Sequence, residues 1–168
     1  MRGLEAKIAA VAVLSGLAIA LSPYHIPIGP TKAYPWQHMV NVILGVTVGP
    51  IWASIAAFLI GVIRMQLGVG TVFSIPGGIP GALLVGIAAY LLRKAGKPVE
   101  HAAWAEPLGT AAIGFFLAVY LVAPLVGVKE EMLAAGLIPI WLVWFASSIT
   151  GTVIGYAAVR ALRKGGII

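Results

Sequence analysis

Long apolar stretches broken by short polar, proline- or glycine-rich segments dominate the chain. Apolar residues run from about Leu4 to Leu21, Trp36 to Val48, Ile51 to Leu67, Ile79 to Leu92, Leu108 to Val126 and Leu137 to Leu162. Most of these are long enough to approach the thickness of a bilayer core. They predict six helices. Gly49-Pro50 separates the second from the third, with Pro50 suited to a first helical turn. The stretch 24–35 reads as an irregular loop, because Pro23, Pro27, Pro30 and Pro35 each remove a backbone donor. Two further loops, 68–78 and 127–136, are glycine-rich or charged. No long internal repeat is visible.

The polar positions inside the apolar runs are few. On the second helix, Gln37, His38 and Asn41 share a stripe with Gly45, within roughly a third of the circumference. On the third, Arg64 shares a stripe with Ala53, Ala57 and Gly61. On the sixth, Trp141, Trp144 and Ser148 precede Gly151 and Gly155 along one face. The first helix carries Ala6 and Ala10, then Ala12, Gly16 and Ala20, at spacings that let another helix approach closely. That other helix is either in the same chain or in a partner subunit.

Composition turns this pattern into a class. The 168 residues are 61% hydrophobic and 10% charged, with mean hydropathy +1.04. Too little charge is present to cover a soluble surface, so the expectation is a single all-α membrane domain over residues 1–168. The first helix resembles a signal peptide near Ala18-Ile19-Ala20, but Glu5 interrupts the basic leader such a peptide needs. The chain has no Cys, which removes disulfides and thiolate metal sites. The net charge of +6 sits largely at helix ends, where topology accounts for it without nucleic acid. Arg2, Lys7, Arg93, Lys94, Lys97, Arg160, Arg163 and Lys164 fall on one side; Lys32, Lys129 and Arg64 fall toward the other. The first side is then cytoplasmic, with both termini, and the three irregular loops face outward together.

The candidate chemistry gathers at that outer end. Tyr34, Trp36, Gln37, His38, Asn41, Arg64, Trp141, Trp144 and Ser148 form the expected wall of a small-molecule site. Each has a plainer alternative. The tryptophans serve equally as interfacial anchors, and Arg64 equally snorkels to the surface. His38 and Asn41 could simply satisfy backbone groups, and Lys32 is solvated on its loop. No Asp is present, and Glu5, Glu100, Glu106, Glu130 and Glu131 all lie outside the middle of the expected spans. A proton relay is therefore not expected. No Walker A sequence occurs. His25 and His38 without a nearby carboxylate make a weak metal pair, and Ser147 or Ser148 with His38 lacks an oxyanion-hole motif. No catalytic, metal or cofactor residue is assigned. With cations as the main fixed charges, a neutral heteroaromatic alcohol suits the site better than a permanent cation such as thiamine.

Two segments carry a family resemblance, TKAYPWQHMVNVILGVTVGPIWA and GVGTVFSIPGGIPGALLVGIAAYLLRK. They resemble the corresponding parts of ThiW, and the likeness extends over most of the chain, strongest from Ile28 to Lys94. The resemblance implies the substrate-binding (S) component of an energy-coupling factor (ECF) transporter in a prokaryotic plasma (inner) membrane. It implies a six-helix S-component bundle whose ligand, hydroxyethylthiazole as a thiamine precursor, lies beneath the outer loops. It also implies partners, a transmembrane coupling subunit and two ATPases. Docking through small residues of helix one would fall on Ala6, Ala10, Ala12, Gly16 and Ala20, with the pair left open. The alternatives are an S component for another vitamin such as thiamine, a membrane scaffold without ligand, and an intramembrane enzyme.

Overall fold

A computed structural model describes residues 3–28 and 31–168. Arg2 and Pro30, to which the sequence assigns a topological charge and a loop break, lie outside the described residues. Helix α1 is Leu4–Ala20. A small antiparallel hairpin follows, β1 Ile26–Ile28 and β2 Thr31–Ala33, with Ile26 opposite Ala33. Helices α2 Pro35–Val48, α3 Pro50–Gln66 and α4 Ser74–Lys94 come next. Helix α5 spans Val99–Leu125, a short α6 Lys129–Ala135, and α7 Leu137–Lys164 ends the chain.

The break between α2 and α3 falls at Gly49, whose φ of 95° only glycine adopts without strain. Pro50 then occupies the first turn of α3. Four of the expected boundaries need correction, the first being the loop expected at 127–136, where Lys129–Ala135 is helical. Within the stretch expected as an irregular loop, Ile26–Ile28 and Thr31–Ala33 pair as antiparallel strands. Helix α4 begins five residues before Ile79 and absorbs Pro76, Gly77 and Gly78. Pro76 is tolerated because backbone N–H groups in a first turn have no intrahelical partner anyway. Helix α5 begins well before Leu108, as a 3₁₀ turn at Val99–Trp104 that leads into Ala105. It winds as π-helix at Leu108–Gly114 and Ala118–Val122. The stretch between the runs expected to end at Leu92 and begin at Leu108 is therefore helical from Val99 onward.

Helix α2 is the axis of the bundle. Val40, Val42, Leu44 and Val46 are fully buried on its different faces. Val40 and Leu44 pack with Ala53, Ala57 and Ile60 of α3 and Ala82 of α4. Val42 and Val46 pack with Val85 and Ala89 of α4, Ala102 and Ala103 of α5, and Val159 of α7. A helix apolar all round is a buried one. Small residues bring the neighbours close: a Cβ on Gly45 would sit 2.7 Å from Val85, and one on Gly155 2.6 Å from Val42.

The outer surface is greasy. Ile51, Phe58, Ile87, Leu108, Phe116, Leu125 and Ile138 are all exposed, as lipid-facing side chains would be. Three helices, α4, α5 and α7, are long and apolar enough to cross a membrane, and α3 is a shorter apolar helix. The chain is a membrane protein. The Arg93 guanidinium donates to the Val46 carbonyl, and Arg163, in the last turn of α7, pairs with Glu100 at 2.6 Å.

Candidate functional site

Four helices converge on a buried polar cluster. From α2, His38 and Asn41 point toward α5, one turn apart. From α5 comes Glu106, whose side chain has no exposed surface. His38 Nδ1 lies 2.6 Å from Glu106 Oε1. With Glu106 ionised its oxygens only accept, and Nδ1 is then the nitrogen that carries the proton. Asn41 Nδ2 donates to the same oxygen at 3.2 Å and to the Gly78 carbonyl of α4 at 3.1 Å. Thr110, one turn along α5, holds its hydroxyl 2.8 Å from both Glu106 Oε1 and the Gly77 carbonyl. Ser148 of α7 donates to Glu106 Oε2. Gly81 makes room, since a Cβ there would stand 2.5 Å from Glu106 Oε1 and 2.6 Å from Thr110 Oγ1.

A second polar group lies toward the hairpin. Arg64 is 4% exposed and donates from Nη1 to Gln37 Oε1 at 2.8 Å. Its guanidinium carbon stands 4.3 Å from the centre of the Tyr34 ring, a cation–π distance. Nη2 reaches the Val69 carbonyl at 3.3 Å, and Gln37 Nε2 reaches the Ser74 carbonyl at 3.2 Å. The Tyr34 N–H donates to Ser147 Oγ at 2.8 Å, tying the hairpin's end to α7. The opening turns of α4 thus lend carbonyls from Ser74, Gly77 and Gly78 to side chains of α2 and α5.

The structure brings together seven of the nine ligand-site residues singled out from the sequence. Tyr34, Gln37 and Arg64 form the group nearer the hairpin; His38, Asn41 and Ser148 form the deeper one. Trp144 joins them from α7: a Cβ on Gly77 would touch its indole at 3.4 Å, and Phe115 meets it edge-on at 5.5 Å. Trp36 and Trp141 stand apart. Trp36 donates to the Tyr24 carbonyl at 2.5 Å at the exposed rim. Trp141 donates to the Ala111 carbonyl at 2.7 Å and stacks on Phe145 at the surface. Arg64 turns inward and does not snorkel, and Lys32 is exposed.

Glu106 is the main correction to the sequence reading. Its position just before the apolar run at Leu108 places it outside the expected span, yet it is the most deeply buried charge among the described residues. The expectation that every glutamate lies outside the middle of the spans does not hold for Glu106, which is buried inside α5. The preference for a neutral ligand over a cation, argued from cations as the main fixed charges, loses its basis with a buried acid in the cluster. Glu106 and Thr110, four residues apart, were the available signal: on a helix they share a face, as His38 and Asn41 do on theirs. Of the other polar pairs considered, His25 Nδ1 turns to the Pro23 carbonyl at 2.9 Å, far in role from His38. Among the described residues no three His, Asp or Glu side chains cluster as metal ligands. Ser148 bonds Glu106, and Ser147 accepts from Tyr34, so neither serine is paired with His38.

The small residues of α1 divide. Val11, Ser15 and Ala18 face the bundle. Ala10 is half-buried against the core, whereas Ala6, Ala12, Gly16 and Ala20 are exposed. A Cβ on Gly16 would meet nothing within 4 Å.

The sequence model of one family, described as thiamine-precursor transporter protein (ThiW), matches residues 8–165. No curated protein and no solved structure matches the chain. A match over nearly the whole length, through all the helices that build the polar cluster, leaves the assignment plain: this membrane protein belongs to the ThiW family of thiamine-precursor transporter proteins.

Proposed function

We propose that the chain is the substrate-binding component of an energy-coupling factor transporter and captures hydroxyethylthiazole at the outer face of a prokaryotic plasma membrane. In this reading its 168 residues form one domain of six membrane spans with both termini in the cytoplasm. A transmembrane coupling subunit docks on α1, and two ATPases supply the energy. The observation that carries the reading is the cluster of His38, Asn41, Glu106 and Ser148, roofed by Tyr34, Arg64, Gln37 and Trp144. Buried polar groups among apolar helices are costly and mark a ligand or ion site. The aromatic rings suit a flat heterocycle, and the polar groups suit its substituents. The choice of the precursor over intact thiamine rests on the family description, because Glu106 removes the objection to a cation. Calorimetry on the detergent-solubilised protein tests it: hydroxyethylthiazole should bind at least tenfold tighter than thiamine. Tighter binding of thiamine overturns the ligand, and the absence of any bound heterocycle favours a scaffold.

A second reading has one observation of its own. The His38–Glu106 pair is the kind of buried couple that proton-driven transporters employ, so the chain could move its ligand without other subunits. Transport by the isolated chain separates the two.

A further inference from the structure

The polar cluster has more acceptors than donors. The Asn41 amide is oriented by two acceptors, the Gly78 carbonyl and Glu106 Oε1, which its Nδ2 hydrogens face. Its Oδ1 is consequently fixed, buried, and without a partner. Glu106 has room for about four hydrogen bonds, two on each oxygen. Oε1 is filled by His38 and Asn41, with Thr110 able to spend its single proton either there or on the Gly77 carbonyl. Oε2 takes only the Ser148 hydroxyl. The protons of Asn41 Nδ2, Ser148, Thr110 and His38 Nδ1 are thus all spent, while Asn41 Oδ1 and one site on Glu106 Oε2 stand open.

We infer that Glu106 and Asn41 are the specificity-determining residues of the site, and that they select a ligand ending in a neutral hydrogen-bond donor and reject one ending in an anion. The inference deepens the proposed function and rests on it. A hydroxyl that reaches the cluster donates its proton to an acceptor that otherwise has none. A phosphate dianion brings only acceptors and negative charge to a buried carboxylate, and Arg64, the buried cation nearer the hairpin, has its terminal nitrogens taken by Gln37 and the Val69 carbonyl, with only its Nε–H unpaired. An alkyl end leaves both acceptors empty. Sites built to bond a substrate hydroxyl discriminate strongly against analogues that lack it, because their own polar groups are then stranded.

The test is calorimetry on the full-length protein in detergent with three compounds that differ only at one end. They are hydroxyethylthiazole, its ethyl analogue without the hydroxyl, and its phosphate ester. The alcohol should bind at least about a hundredfold tighter than the ethyl analogue, and the phosphate should show no measurable binding. Glu106→Gln and Asn41→Ala should each narrow the alcohol-to-ethyl ratio by about tenfold or more. Equal binding of alcohol and ethyl analogue to the unaltered protein, or binding of the phosphate as tightly as the alcohol, overturns the inference but leaves the proposed function standing. No binding of any of the three overturns both. A ratio unmoved in both folded variants removes the assignment to Glu106 and Asn41. The unaltered protein decides the donor rule even where a variant does not fold.

Discussion

At the scale of single residues, the question is how a carboxylate without exposed surface is kept. Water no longer solvates Glu106, so protein donors must, and they come from three helices. Removing one donor strands charge in a low-dielectric interior. His38→Ala is expected to destabilise the folded protein by about 3–5 kcal/mol, the usual cost of breaking a buried pair. Asn41→Ala should cost about 1–3 kcal/mol, since it removes a neutral donor. Thermal unfolding in detergent measures both, with exposed Lys32→Ala as the reference. A His38→Ala shift no larger than that reference would mean Glu106 is not held as an ion. The helical period made His38 and Asn41 readable as a pair, because both sit within an apolar run where a polar side chain stands out. Ser148 stood out for the same reason. Glu106 did not, because it lies two residues before the point where the apolar run of α5 begins, among residues polar enough to pass for a connection. Nothing local distinguishes a glutamate at a helix edge from one inside; only the partners on α2 and α7 do.

At the scale of elements, proline and glycine carried opposite meanings at two places. Gly49-Pro50 ends one helix and starts another, as its local chemistry dictates. The run SIPGGIPG at the start of α4 has the same composition and is helix throughout. There, tertiary contact outweighs propensity. Gly77 seats Trp144, Gly81 seats Glu106, and a Cβ on Gly78 would stand 3.3 Å from Ala57, so the glycines are contact surfaces and not punctuation. Helix α1 shows the same dependence on context, because its small residues are split between two roles. Ala10→Leu pushes a larger side chain into a packed interior and should lower stability by about 1–3 kcal/mol. Gly16→Leu meets open space and should leave the unfolding temperature unchanged. If α1 docks the coupling subunit, Gly16→Leu nevertheless abolishes uptake in cells that carry the whole transporter. Normal uptake with Gly16→Leu would move the docking surface off this face.

At the scale of the whole molecule, charge placement and energy source each yield a measurement. The chain has no native cysteine, so single-cysteine variants report topology cleanly. Lys97→Cys and Lys32→Cys lie at opposite ends of the bundle. A membrane-impermeant thiol reagent added to intact cells should label the second and spare the first. Equal labelling would break the six-span arrangement.

The energy source turns on what surrounds Glu106. A proton-coupled carrier needs titratable groups that reach each side of the membrane in turn. Here the His38–Glu106 pair is enclosed, and the other carboxylates among the described residues lie near helix ends. Glu5 opens α1, Glu100 is held by Arg163, and Glu130 and Glu131 open α6. The other buried acid among the described residues, Glu100, is tied to Arg163 at 2.6 Å and not to Glu106. Under the proposed function the pair holds a polar group still, as a binding component requires. Proteoliposomes containing this chain alone, with an imposed proton gradient, should therefore accumulate no hydroxyethylthiazole. Reconstitution with the coupling subunit and both ATPases should make uptake depend on ATP. Gradient-driven accumulation by the chain alone, abolished by Glu106→Gln, would reverse the assignment and make the same carboxylate the coupling group.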